Sequence, residues 1–118
     1  MLVPVSGVER SSDAGVWAVL TLSGEIDLDV VPQVREAVDE LVAEGRVNLV
    51  WDLADVSFMD SAGLGVLVYT TRSVEARQGR VRLAGAHVQV CRLLELTGLD
   101  AVVERYPDVA SAAEQAPA

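Results

Sequence analysis

From Val16 to Leu22 apolar residues fill both alternate registers, with Val16, Ala18, Leu20 and Leu22 on one side and Trp17 and Val19 on the other. A segment apolar on both sides predicts a strand buried within a sheet. At Val30 the period changes. Val30, Val31, Val34, Val38, Leu41 and Val42 recur at the spacing of one helical face, with Asp29 as a candidate N-cap and Gly45 as the stop. Pro32 falls in the first turn, where its missing N–H is harmless. Val47–Leu53 reads as the next strand and Ala62–Arg77 as the next helix, on a stripe of Leu64, Leu67, Val68, Thr71 and Val74 ended by Gly79. Val81–Ala84 is a short strand. Val90, Leu93, Leu94 and Thr97 mark a third helix closed by Gly98, followed by a short strand at Ala101–Glu104 and a last helix from about Asp108.

Strands alternating with helices predict an α/β fold with one mixed, mostly parallel sheet joined by crossover helices; the helices are expected largely on one face. Ahead of it, Ser11–Gly15 is a turn cluster, and Leu2–Val8 is a first strand held to an edge by Pro4. The alanine-rich end, Ala110–Ala118, is expected to fray. The 118 residues, 51% of them hydrophobic, suit a single domain over 1–118.

Charge narrows the chemistry. The net charge is -9, and 12 of the 18 acidic residues lie in residues 1–60 against 3 arginines, while residues 61–118 hold 6 of each. That sign opposes a nucleic acid partner. All nine basic residues are arginine, so no lysine is present for a phosphate-binding loop or a Schiff base. One cysteine (Cys91) and one histidine (His87) cannot build a zinc site or an internal disulfide. His87 reads as a surface or capping residue and Cys91 as a small apolar one. Trp17 and Trp51 read as core, and Arg72, Arg77, Arg80 and Arg82 as a solvated surface. No metal or cofactor is expected. Met1–Arg10 has no basic leader character and no apolar run reaches membrane-spanning length, so a cytoplasmic protein is expected.

Sheets of this kind meet ligands and partners at the C-terminal ends of their strands. Two loops there stand out, Gly24-Glu25-Ile26-Asp27 and Asp55 to Gly65. In the second, Ser61 stands where an N-cap is expected, beside unpaired amides and the positive end of the helix dipole, where a phosphoryl group would be received. Capping alone also explains a serine there. Gly63 and Gly65 in the first turns point to close approach, either by a partner or by the sheet beneath. Asp27 and Asp60 suit helix starts in their own right. Phe58 and Met59 are either core or an exposed apolar contact.

These segments carry a resemblance. Phe58-Met59-Asp60-Ser61-Ala62-Gly63-Leu64-Gly65, with Gly24-Glu25-Ile26-Asp27 upstream and Leu96-Thr97-Gly98-Leu99 downstream, resembles the STAS-domain family of bacterial anti-sigma factor antagonists over about residues 16 to 109. The resemblance implies a STAS-like fold and a binding protein rather than an enzyme. It implies that Ser61 is phosphorylated by an anti-sigma factor that is itself a serine kinase, using ATP and magnesium, and that a metal-dependent serine phosphatase transiently restores it. It implies partner contacts at Asp27, Phe58, Met59, Asp60, Ser61, Gly63 and Leu64. Ala62 departs from the many relatives that carry a second hydroxyl there. Two rival readings follow from the same residues. One is a non-switching STAS scaffold or regulatory subunit of a transport ATPase or stress-signalling complex. The other is an enzyme or nucleotide-binding domain using the acidic loops, opposed by the missing lysine, the single histidine and the lack of a glycine-rich phosphate loop of recognised spacing.

Overall fold

A computed structural model describes residues 7–114, 116 and 117. Five strands form one sheet in the order β1-β2-β3-β4-β5: β1 (Gly7–Arg10), β2 (Ala18–Ile26), β3 (Asn48–Met59), β4 (Arg80–Ala84) and β5 (Glu104–Tyr106). The β1–β2 pair is antiparallel and every other pair is parallel. Helices α1 (Val31–Ala43), α2 (Ser61–Glu75) and α3 (Val88–Thr97) are the crossovers, and α4 (Val109–Ala113) closes the described chain. The expected mixed sheet with an antiparallel edge strand is what forms. Of the first strand expected over Leu2–Val8, residues 2–6, Pro4 included, lie outside the described residues.

The two apolar registers of β2 face two cores. Ala18, Leu20, Leu22 and Ile26 join Leu49, Trp51 and Leu53 of β3 under the buried stripes of α1, α2 and α3, among them Val34, Val38, Leu67, Val74, Val90 and Leu94. Trp17 and Val19 join Val50, Ala84 and Ala112 in a smaller core on the opposite face, beneath α4. Helices therefore lie largely on one face, as expected, and both tryptophans are buried. Arg10 pairs in bidentate fashion with Glu44, at 2.8 and 3.1 Å, which ties the edge strand to the end of α1. Among the described residues, no helix is long and apolar enough to cross a membrane.

Four expectations need correction. Strands β2 and β3 run further than their apolar cores, to Ile26 and Met59, because register shifts at Thr21/Ser23 and Gly24/Glu25 keep them paired after strict alternation fails. The strand expected at Ala101–Glu104 starts later: a 3-10 turn occupies Leu99–Ala101, Val103 enters the main core, and β5 follows at Glu104. Fraying does not begin at Ala110, since α4 is capped by Asp108 and Ala112 is fully buried. Arg82, expected at a solvated surface, is 4% exposed. Its guanidinium stacks 4.3 Å from the Trp17 ring, lies beside Tyr106 and donates to the Ala112 carbonyl at 2.8 Å. Position 82 alternates with Val81 and Leu83, so it must face the second, thinly covered side of the sheet, where an arginine can bury its stem and pair its head.

Candidate functional site

Strand β4 pairs with β3 only as far as Asp52 opposite Ala84, whereas β2 and β3 continue together to Ile26 opposite Met59. The overhang depends on Gly24, which takes φ +76° at the bulge, a conformation that costs a side-chain-bearing residue energy. Neighbouring strands lie about 4.8 Å apart, so Asp27 and Asp60, each following a paired residue, leave the sheet side by side. The Asp60 N–H donates to the Ile26 carbonyl at 3.3 Å and fastens the two exits together.

Each aspartate starts a helix. The Asp27 carboxylate accepts from the Asp29 N–H at 3.0 Å, and its carbonyl accepts from Val30 and Val31. The N-cap position of α1 is Val30, without a side-chain bond, so Asp27 organises this start and the expected cap at Asp29 is corrected. For α2 the N-cap is Asp60, whose Oδ1 accepts from Ala62 N–H at 2.9 Å and Gly63 N–H at 3.3 Å. Ser61, expected at the cap, is instead the first helical residue and is exposed. The difference matters chemically. Two of the amides that would receive an anion, those of Ala62 and Gly63, already serve Asp60, and Ser61 itself is exposed.

Beneath the serine the packing is tight. A Cβ at Gly63 would lie 2.4 Å from Met59 Cγ and 2.9 Å from the Ile26 carbonyl oxygen. Gly63 thus lets α2 sit directly on β2 and β3, the sheet-packing alternative of the two that its position left open. Met59 is 0% and Leu64 7% exposed. Met59, Gly63 and Leu64, expected as partner contacts, are buried and form the floor beneath Ser61. Gly65 is exposed with open space around it, one helical turn from Ser61 on the same face. Phe58 is 43% exposed, so the pair Phe58–Met59 splits, one side chain outward and one into the core.

Sequence reasoning missed three residues at this end. Leu28 and Val88 are 73% and 69% exposed and stand beside Asp27 and at the start of α3. Leu28, an apolar residue between two aspartates at a turn, carried a readable signal. Gln89 carried none, because its partner is 30 residues away: its side chain accepts from Met59 N–H at 2.9 Å and donates to Met59 C=O at 2.8 Å. His87 occupies the N-cap position of α3 without capping it, and its ring nitrogen instead meets the Ala54 carbonyl at 2.7 Å. Leu96-Thr97-Gly98-Leu99 ends α3, with Gly98 left-handed at φ +78°. A ten-residue helix is about 15 Å long, so this segment lies a helix length from the start of α3 at Val88. Among the described residues no three His, Cys, Asp or Glu side chains group to hold a metal ion.

An exposed serine on a helix start, next to one carboxylate and with a second leaving the neighbouring strand, thus stands at the overhanging end of a mixed sheet. The family model for the STAS domain matches residues 8–112, and the chain belongs to the STAS-domain family of anti-sigma factor antagonists. Over 83 residues it is 40% identical to the anti-sigma-B factor antagonist of Listeria monocytogenes, covering 70% of this chain and 73% of that protein. A crystal structure of an anti-sigma factor antagonist from Thermotoga maritima superposes with a TM-score of 0.82 at 27% identity, covering 87% of this chain and 89% of the other. The Bacillus cell fate determinant SpoIIAA, solved in its phosphorylated form, superposes with a TM-score of 0.66 at 25% identity, over 86% of this chain and 90% of the other.

Proposed function

We propose that the unphosphorylated chain is an anti-sigma factor antagonist that docks Asp27, Phe58, Asp60 and Ser61 onto a serine-kinase anti-sigma factor. Binding competes with the sigma factor and releases it to RNA polymerase in the cytoplasm. The kinase, using ATP and magnesium, phosphorylates Ser61 and ends the binding, and a metal-dependent serine phosphatase restores the hydroxyl. The chain is substrate and ligand in this cycle and catalyses neither step. One observation carries the reading: Ser61 is exposed on the first residue of α2, next to its Asp60 cap, at the end of the sheet where Asp27 also leaves and where Phe58 and Leu28 are exposed.

The physical basis of the switch is local. Phosphorylation adds about -1.5 to -2 charge, and with Asp60 holding the helix amides the new charge projects into the contact surface. Repulsion from Asp27 and Asp60 is present free and bound alike, so release requires a difference at the interface. Burying a dianion where a hydroxyl fitted costs desolvation, and each partner carboxylate at 5 Å adds roughly 3 kcal/mol per unit of phosphate charge at an effective dielectric of 20. Reversing a 99:1 equilibrium takes about 5.5 kcal/mol, so one or two such contributions suffice.

The test is to incubate the chain with its candidate kinase and ATP, map phosphate by mass spectrometry and measure affinity. Phosphate is expected on Ser61, none there in Ser61→Ala, and binding weakened at least tenfold in the phosphorylated protein and reduced in Ser61→Asp. Absence of phosphate together with unchanged binding of Ser61→Asp would favour the non-switching scaffold instead.

A further inference from the structure

Past Asp52 the edge of β3 has lost its β4 neighbour, yet the strand stays extended for its whole length to Met59. Two side chains from the start of α3 stand along that edge. His87 meets the Ala54 carbonyl, and Gln89 bonds both the N–H and the C=O of Met59. The Gln89 amide therefore does for Met59 what a residue of an adjacent strand would do, supplying one acceptor and one donor to the N–H and C=O of a single residue. On its other side Met59 is paired with Ile26. The residue immediately before Asp60 and Ser61 is thus held from both sides, and one of the two holds is a single side chain.

We infer that Gln89 is a positioning residue for Ser61: its amide fixes the end of β3, and so the height and direction at which the Asp60 cap presents the serine hydroxyl to the kinase. The inference rests on the proposed phosphorylation of Ser61 and adds to it a residue on a different helix that sets how well the site works. Few side chains can replace it. Asparagine is one methylene shorter, glutamate has no donor when ionised, and methionine matches the length with neither group. Gln89 is half-buried and touches neither Asp60 nor Ser61 through a hydrogen bond, so it acts through the backbone of Met59 alone.

The experiment compares the wild type with Gln89→Met, Gln89→Glu and, as a control on the same helix, Arg92→Gln. Amide hydrogen exchange in the isolated protein reads the hold itself. In Gln89→Met the Met59 amide is expected to exchange about tenfold faster, matching the loss of one to two net hydrogen bonds, while amides of β4 and the last turn of α3 are unchanged. Steady-state phosphorylation with the chain's serine-kinase anti-sigma factor, ATP and magnesium reads the consequence. KM for the protein substrate is expected to rise several-fold in Gln89→Met and Gln89→Glu, with kcat for ATP consumption nearly unchanged and Arg92→Gln behaving as wild type. A purely structural role would lower the melting temperature and leave KM alone. Faster exchange at Met59 with wild-type KM overturns the positioning role while leaving Ser61 phosphorylation standing. Unchanged exchange in Gln89→Met overturns the hold. Absence of phosphate on wild-type Ser61 overturns the underlying reading and this inference together.

Discussion

Asp60 caps α2 and is proposed to contact the kinase as well, and substitution can separate the two. As the cap of α2 it satisfies two amides, and Asp60→Ala is expected to cost about 1 kcal/mol of stability, read as a lower urea midpoint at unchanged m-value. Asp60→Asn keeps the cap and removes the charge. It should denature close to wild type, while its affinity for the kinase reports the electrostatic role alone. Gly63 is constrained differently. An alanine methyl would intrude on Met59 and on the Ile26 carbonyl, so Gly63→Ala is expected to destabilise by about 1–3 kcal/mol and to lift α2 from the strands. Phosphorylation of Ser61 should fall further in this variant than in an equally destabilised variant of α4, measured at a temperature where both are folded.

Among the elements, α4 is short and depends on few groups. Asp108 caps it by accepting from the Ser111 N–H at 2.7 Å, and Arg82 grips its Ala112 carbonyl from below. That backbone bond holds the Asp108 carboxyl below its ordinary value near 3.8. A carboxyl lowered in the folded state contributes stability fully present above the unfolded pKa and lost as pH falls through the folded one. The cap should therefore weaken on acidification below about pH 4, with Asp108→Asn showing a flatter stability profile over that range. Arg82→Met removes the donor to Ala112 and the stacking on Trp17. It is expected to cost about 1–3 kcal/mol and to shift Trp17 emission to the red as α4 loosens. Lysine should not rescue it, since a single ammonium cannot stack flat and donate sideways at once.

For the whole molecule, the charge of -9 lies entirely in the balance of residues 1–60. Both aspartates of the site belong to that half, and the fold carries them to one end of the sheet. Phosphorylation would take the total to about -10.5 to -11, visible as a shift in native electrophoresis that Ser61→Ala abolishes. If docking is steered by this acidic end, association with the kinase should slow as ionic strength rises from 50 to 300 mM, roughly from a 14 Å to a 6 Å screening length. Dissociation should change much less.

What the sequence determined by itself was the order and type of the elements and the address of the candidate site. Periodicity fixed three crossover helices and the buried strands because burial of one stripe or of both strand faces leaves a local signature, and Phe58 to Gly65 lay between two such elements. Tertiary structure decided which of those residues face outward. Strict alternation ended at the bulges of β2 and β3, so the overhang that brings Asp27 beside Asp60 was illegible along the chain. Nothing local distinguished Asp60 from Ser61 as the cap, since both residue types accept from helix amides. The closeness of Gly63 to Met59, the burial of Arg82 against Trp17, and the grip of Gln89 on Met59 join residues distant in sequence or face in ways that only packing selects. Hydrophobic pattern is a property of neighbours along the chain, whereas a site is a property of neighbours in space.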